Sequence, residues 1–269
     1  MRVILLVDGD SLAHIAVKAR NDTIYNQQFR EFTKEEDQEY HRENCKNVVN
    51  HIKELKTVLS GDEVRIALTD NPTFRHKLYD KYKSNRQITW RTRFVNGVKN
   101  FLIRYYNAKK EDGLEADDLL RIWHDQCYHV GAHAIICAND KDMLMVPGRH
   151  WDLKKNEEIL VDKKMAMHNY YMQMLTGDST DCIPGIPKVG PVKAGKMLLE
   201  CEKESDYMFE IMNAYIGYAG DKWLEYLELM GQLITIKPTR DYVFSSDPYL
   251  AMYRRVEKAK KKSSTKDDE

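Results

Sequence analysis

The chain reads as an α/β protein: a mainly parallel, twisted sheet flanked by helices, followed by a helical domain. Three observations predict this. Short β-rich runs stand apart from one another at "RVILLV" (2–7), "EVRIAL" (63–68) and "AHAIICA" (132–138). Helical periodicity fills the intervals between them, chiefly at 42–59 and 115–130, which is the alternation of a parallel sheet with crossover helices. Beyond about residue 162 every periodic segment is helical.

Taken in order, "RVILLV" opens the sheet as a buried strand, the helix over 42–59 crosses to "EVRIAL", and the helix over 115–130 crosses to "AHAIICA". "HWDL" (150–153) and "EEILV" (157–161) add a shorter pair. Helices follow at 164–176, 190–203, 206–217 and 221–235, and the closing "RRVEKAKKKSSTKDDE" has the composition of a charged, flexible tail. The expected division is a core over 1–162 that contains a basic region at about 75–112, a helical domain over 163–240, and a C-terminal extension over 241–269.

Composition excludes several classes. Lys plus Arg and Asp plus Glu both total 42 in 269 residues, so net charge names no partner and any polarity is local. The five cysteines are odd in number, widely spaced and free of any C-x-x-C, which argues against a disulfide framework or a zinc site and for a reducing compartment. The apolar run at the amino terminus breaks at Asp8, too early for a signal peptide or a membrane span, so the expected location is cytoplasmic, with no membrane partner.

The stretch "GLEADDLL" (113–120) crowds Glu115, Asp117 and Asp118 ahead of an apolar helical run. Acidic side chains in a first turn suit the helix dipole, and that structural alternative holds for any such cluster alone. Here other acids join it. Asp8, Asp70, and Asp140 with Asp142 each follow one of the three strands, and open parallel sheets place ligand sites beyond those ends. Asp178 and Asp181 form a further pair in "TGDSTD". Nine such carboxylates around one edge need cations to stay ionised at neutral pH. All-oxygen donors favour two Mg²⁺, with Mn²⁺ able to substitute, and such a pair is a clamp for phosphoryl chemistry.

Local basicity lies between Arg75 and Lys110, where eleven Lys or Arg face a single acid, Asp80, with aromatic residues interleaved. Cations beside rings are what a single-strand path requires, although snorkelling side chains on a solvated helix would look the same.

Together "VDGDSL", "TDNPTFRHKLYDKYKSNR", "LEADDLL", "NDKDMLMV" and "TGDSTDCIPGIPKVGPVKAGKML" resemble, in order, the motifs of the 5′ nucleases of the flap endonuclease superfamily, most closely the free-standing phage enzymes, over roughly residues 1 to 235. The resemblance implies a PIN-like nuclease core, a helical arch, and a helix-turn-helix variant that holds duplex. It implies hydrolysis of DNA near free 5′ ends, nicks and flaps and of RNA primers in RNA–DNA hybrids, by a monomer, in the host cytoplasm if phage-encoded. Asp8, Asp70, Glu115, Asp117, Asp118, Asp140, Asp142, Asp178 and Asp181 match the metal-site acids. Lys83 and Arg86 match the basic pair at the scissile phosphate, with Tyr82 as a stacking platform and Arg75 and Lys77 along the DNA path. Lys188, Gly190, Val192, Lys193 and Lys196 fall in the duplex-holding turn, where backbone carbonyls of Ile186 and Val189 would hold K⁺. Two departures stand out there: Lys188 replaces the first Gly of a Gly-x-Gly pair, and Cys182 replaces a common Asn. Asp10 has no assigned role.

Three rival readings remain to be weighed. "GPVKAGKM" imitates a P-loop, but Met197 stands where a hydroxyl is required and prolines precede it where a strand is needed. "VDGDS" resembles an Asp-x-Asp phosphatase with Asp8 as nucleophile and Asp10 as acid, a reading that leaves the basic stretch without a use. A noncatalytic DNA-binding relative would have lost acids, and all nine are present.

Overall fold

The computed structural model describes residues 2–17 and 33–264, excepting the side chains of Trp90 and 260–264. The chain forms two compact units: the first comprises 1–73, 86–161 and 237–240, the second 74–85, 162–236 and 241–269.

The first unit is built on a five-stranded sheet of β1 (Val3–Asp8), β2 (Glu63–Ala67), β3 (His133–Ala138), β4 (Gly148–Asp152) and β5 (Glu157–Val161), in the order β2-β1-β3-β4-β5. The first four are parallel and β5 runs antiparallel to β4. β1 lies inside the sheet between β2 and β3, and its residues from Ile4 onward are all buried, the nearly continuous apolar run expected of a strand covered on both faces. α1 (Gly9–Ala16), α2 (Lys34–Val58), α4 (Trp90–Tyr106) and α5 (Ala116–His129) flank it. Leu12, Val48, Ile52, Val95, Val98 and Leu102 interlock with Leu5 and Ile135 in the core. Gly9 has no room for a side chain, since a Cβ would stand 2.8 Å from the Ala67 carbonyl oxygen.

The second unit is helical: α3 (Phe74–Leu78), α6 (Lys163–Thr176), α7 (Pro191–Met197), α8 (Glu204–Ala219), α9 (Trp223–Ile234) and α10 (Asp247–Ser264). A tyrosine cluster fills its interior. Tyr171 stacks on Tyr207 at 5.1 Å, and the Tyr215 hydroxyl donates to the Met174 carbonyl at 2.8 Å, so these large rings are buried without orphaning their polar ends.

Three expectations need correction. Residues 254–264 are the later turns of α10, not an unstructured tail: Ala, Lys, Arg and Glu are strong helix formers, and Tyr249 is buried while Tyr253 packs on Trp223 at 5.6 Å. The region 75–112 is divided, its first part packing in the helical unit and α4 burying Phe94 in the core of the other. The helix expected at 42 starts at Lys34, capped by Thr33, whose hydroxyl accepts from Glu36 N while the Glu36 carboxylate accepts from Thr33 N.

Candidate active site

Strand register decides where the first acids fall. Asp8 on β1 is level with Ala67 on β2, and Val7 is level with Cys137 on β3. Asp70 follows the end of β2 by three residues and Asp140 follows the end of β3 by two. Three neighbouring parallel strands, with β1 in the middle, therefore deliver an acid to the same carboxyl edge.

The start of α5 is fastened to that edge. Asp70 N donates to Leu114 O at 3.0 Å, and Ala116 N donates to the Thr69 hydroxyl at 3.1 Å. Glu115 and Asp117 are thereby held beside the end of β2, Glu115 buried and Asp117 half-buried. Asp140 is exposed and caps a short 3-10 turn by accepting from Asp142 N at 2.9 Å, and Asp142 is half-buried in that turn.

Asp8 is buried at 4% exposure. One carboxylate oxygen accepts from Asp10 N and Ser11 N at 2.9 and 3.1 Å, and the other accepts from the Ser11 hydroxyl. Burial, then the neighbouring Asp10 charge, raises its pKa from 3.8 to about 6, against the pull of those hydrogen bonds.

Asp118 differs from its neighbours. It is fully buried, and its oxygens accept from Glu115 N at 3.1 Å and Lys237 N at 2.9 Å. These bonds hold the start of α5 to the 237–240 segment, a structural task beside its expected place among the metal ligands. Among the described residues no three His, Cys, Asp or Glu side chains close on a common point that could hold a metal ion. The acids share an edge, and several of them also cap backbone N–H groups.

Sequence reasoning missed what Asp10 does. Its carboxylate accepts from Thr69 N at 3.2 Å and lies 2.9 Å from the Lys99 ammonium, tying α1, the end of β2 and α4 together. Lys99 is one of the eleven cations of the basic stretch, and nothing in the spacing pairs it with Asp10. His14, one turn along α1, has its pKa lowered by burial and then by Lys99 and Arg91, and Arg86, which is exposed, adds to this. The Arg91 guanidinium donates to Val17 O at 3.0 Å, closing the carboxyl end of α1.

The remaining predicted residues lie in the helical unit. Lys83 Nζ stands 3.4 Å from the Asp181 carboxylate, to which the Tyr82 hydroxyl donates at 3.1 Å, and Lys83 N donates to Asp181 O at 3.0 Å. Asn85 donates to Thr180 O at 3.2 Å, so the "YKSN" segment is clasped to the 178–182 turn. Asp178 is buried, accepting from Thr180 N at 2.7 Å and from the Gln173 amide at 3.0 Å. Two residues expected on the DNA path are interior. Tyr82 is 3% exposed, so its ring is not offered to a base. Arg75 is equally buried, and its guanidinium donates to Leu233 O and Thr235 O at 2.8 Å, satisfying carbonyls at the end of α9. Lys77 is exposed.

The turn from Gly177 to Gly190 is compact. Gly177 and Gly185 both have positive φ, and a Cβ on either would meet backbone at 2.3 Å. Lys188 has φ 64°, so the left-handed conformation that a Gly would favour is kept although the residue is Lys. Ile186 O accepts from Val189 N at 3.1 Å. Gly190 caps α7 with Pro191 at its first position, and Gly190, Val192, Lys193 and Lys196 line one shallow depression.

Residues 3–173 match the family model described as the 5′-3′ exonuclease N-terminal resolvase-like domain. DNA polymerase I of Rhizobium leguminosarum is 34% identical over 140 residues, 48% of this chain and 14% of that protein. A 5′-3′ exonuclease of Buchnera aphidicola is 29% identical over 164 residues, 54% of this chain and 53% of that one. The chain thus spans about half, or less, of the curated relatives it matches. In structure, the T5 D15 protein co-crystallized with metal ions has a TM-score of 0.64 at 16% identity, covering 88% of this chain and 90% of that one. T5 5′-exonuclease with bound zinc gives 0.55 at 14% identity over 87% and 100%. With the resolvase-like model covering well over half its length, the chain belongs to the 5′-3′ exonuclease family.

Proposed function

We propose that the protein is a divalent-metal-dependent 5′ nuclease that hydrolyses DNA phosphodiesters near free 5′ ends, nicks and flaps, and RNA in RNA–DNA hybrids. The observation that carries this reading is the delivery of Asp8, Asp70 and Asp140 to one edge by three adjacent parallel strands, with Glu115 and Asp117 fastened beside them. The donor set is all oxygen, and Asp8 is a buried carboxyl whose charge is unfavourable without a cation, so the chemistry of these donors suits two Mg²⁺ ions or Mn²⁺ in their place. Asp8, Asp70, Glu115, Asp117, Asp140 and Asp142 would hold them. Such ions, when bound, supply an activated water and neutralise charge on the phosphate.

The chain's own cations do the rest. Lys83 and Arg86 neutralise phosphoryl oxygens as charge builds there. Lys77, Lys188, Lys193 and Lys196 engage backbone phosphates, and the Gly190–Val192 start of α7 lets duplex approach closely. K⁺ at the carbonyls of Ile186 and Val189 would brace that turn. The phosphatase alternative is disfavoured because Asp10, its required acid, is engaged by Thr69 N and Lys99.

The deciding experiment is digestion of end-labelled duplex, nicked, flap and RNA–DNA hybrid substrates with Mg²⁺, with EDTA as control. Release of 5′-terminal products that EDTA abolishes is expected. Intact substrates in Mg²⁺ and in Mn²⁺ would overturn the reading.

A further inference from the structure

The helical unit contains a second cavity, of about 430 Å³, walled by Tyr79 after α3, Pro184 of the 177–190 turn, Tyr218 of α8, and Lys222, Glu225 and Tyr226 at the start of α9. None of the residues assigned to metal or DNA lines it. Its volume falls in the range of small-molecule sites, roughly 300–1,000 Å³. Tyr218 and Tyr226 meet edge to face, 5.4 Å between centroids, and are 42% and 41% exposed, so they form an open aromatic corner and not a sealed core contact. Lys222 and Glu225 are both exposed, and neither has a side-chain partner among the described residues. By contrast the deeper Tyr215, which also borders the cavity, is buried with its hydroxyl bound to Met174 O.

We propose that this cavity binds one unpaired guanine nucleotide of a nucleic-acid strand. The chemistry of the lining selects that ligand. Rings that are half-uncovered offer a base a face to stack on. A carboxylate offers two acceptors side by side, which suits the adjacent N1–H and N2–H donors on the guanine edge; thymine presents no such pair. Lys222 supplies the cation that a flanking phosphate needs. An aliphatic peptide would leave both charges unused, and duplex DNA has no exposed base face to stack. The proposal rests on the nuclease reading, naming a subsite for an unpaired nucleotide separate from the duplex-holding surface at Gly190–Lys196.

The test is binding without cleavage. In EDTA, the full chain is titrated with the tetranucleotides d(TTGT) and d(TTTT), following tyrosine fluorescence, and crosslinked to the same sequences carrying 6-thioguanine in place of the guanine. Tighter binding of d(TTGT) and a crosslink at Tyr218 or Tyr226 are expected. Tyr226→Ala should weaken d(TTGT) at least tenfold, and Glu225→Gln should erase the preference for guanine, while Tyr128→Ala, on an exposed tyrosine of the other unit, changes neither. Both target side chains are exposed, and circular dichroism confirms folding of each variant. Equal affinity for the two tetranucleotides, or a crosslink confined to other residues, overturns the proposal. A protein that cleaves flaps yet fails this test loses the subsite alone, whereas guanine binding without any cleavage removes the nuclease reading and leaves the cavity's ligand in place.

Discussion

The Lys83 ammonium lies 3.4 Å from an Asp181 carboxylate oxygen, and the same Asp181 takes the Tyr82 hydroxyl at 3.1 Å. Lys83 also has φ 54°, a conformation a side chain rarely adopts without surroundings that impose it. Its backbone N–H is pinned to Asp181 O, so the ammonium is presented from a fixed point. Lys83→Ala is therefore expected to slow single-turnover cleavage by about 10²–10³-fold, the scale of losing one positioned donor at a developing charge. DNA affinity in EDTA should change only a few-fold. Single-turnover rates equal to wild type would remove Lys83 from the chemistry.

Asp117 and Asp118 are adjacent but should respond differently. Asp117→Asn, like Asp140→Asn, is expected to abolish cleavage with DNA binding largely intact. Asp118→Ala leaves Glu115 N and Lys237 N unpaired inside the protein, a loss of about 1–3 kcal/mol for each group left unsatisfied. Urea denaturation of the three variants checks this: only the Asp118 variant should shift its midpoint. A stable Asp118→Ala protein that had lost cleavage would instead make metal ligation the main task of Asp118.

Asp8 gives a pH-dependent prediction. Its folded pKa of about 6 exceeds the ordinary 3.8, so the folded chain binds that proton more tightly than the unfolded chain does. Stability from this group consequently falls as pH rises from about 4 to 6 and is level above that. Asp8→Asn keeps the acceptor for Asp10 N and Ser11 N without the charge. In EDTA at pH 7.5 the variant should be more stable than wild type, by on the order of 3 kcal/mol, with the gain vanishing near pH 4. Urea titrations across that range that show no pH-dependent gain would contradict the burial argument.

Backbone conformation in the 177–190 turn separates two kinds of position. Lys188→Gly relieves a left-handed side chain and should stabilise by about 1 kcal/mol in thermal unfolding. Gly177→Ala places a Cβ 2.3 Å from the Ile183 carbonyl oxygen and should destabilise by several times that amount. Equal effects at the two sites would show that the turn yields easily.

Much of the fold was legible because the strands are short, apolar and each followed by an acid, and because the helices carry clear periodicity. α2 was read eight residues short because its first turns are polar, although the Thr33-x-x-Glu36 signal was present. Acid positions were legible as a set, since strand ends in parallel sheets coincide. Their division of labour was not: nothing in "EADD" says which carboxyl turns inward to cap the helix. Tyr82 and Arg75 look from composition like any ring and cation on a nucleic-acid path, and only tertiary packing shows them enclosed. Asp10 and Lys99 are 89 positions apart, a distance over which no periodicity can signal a pair.

The Arg75 clasp on α9 has a practical corollary for anyone dissecting the molecule. Twelve residues from the amino-terminal half, 74–85, are completed by helices encoded far downstream. A polypeptide stopped at Val161 would expose a guanidinium and a tyrosine ring that folding had enclosed, together with the unpaired end of Lys83's tether. Neither half can therefore be cut out at one boundary, since the first unit in turn draws 237–240 from beyond the helices.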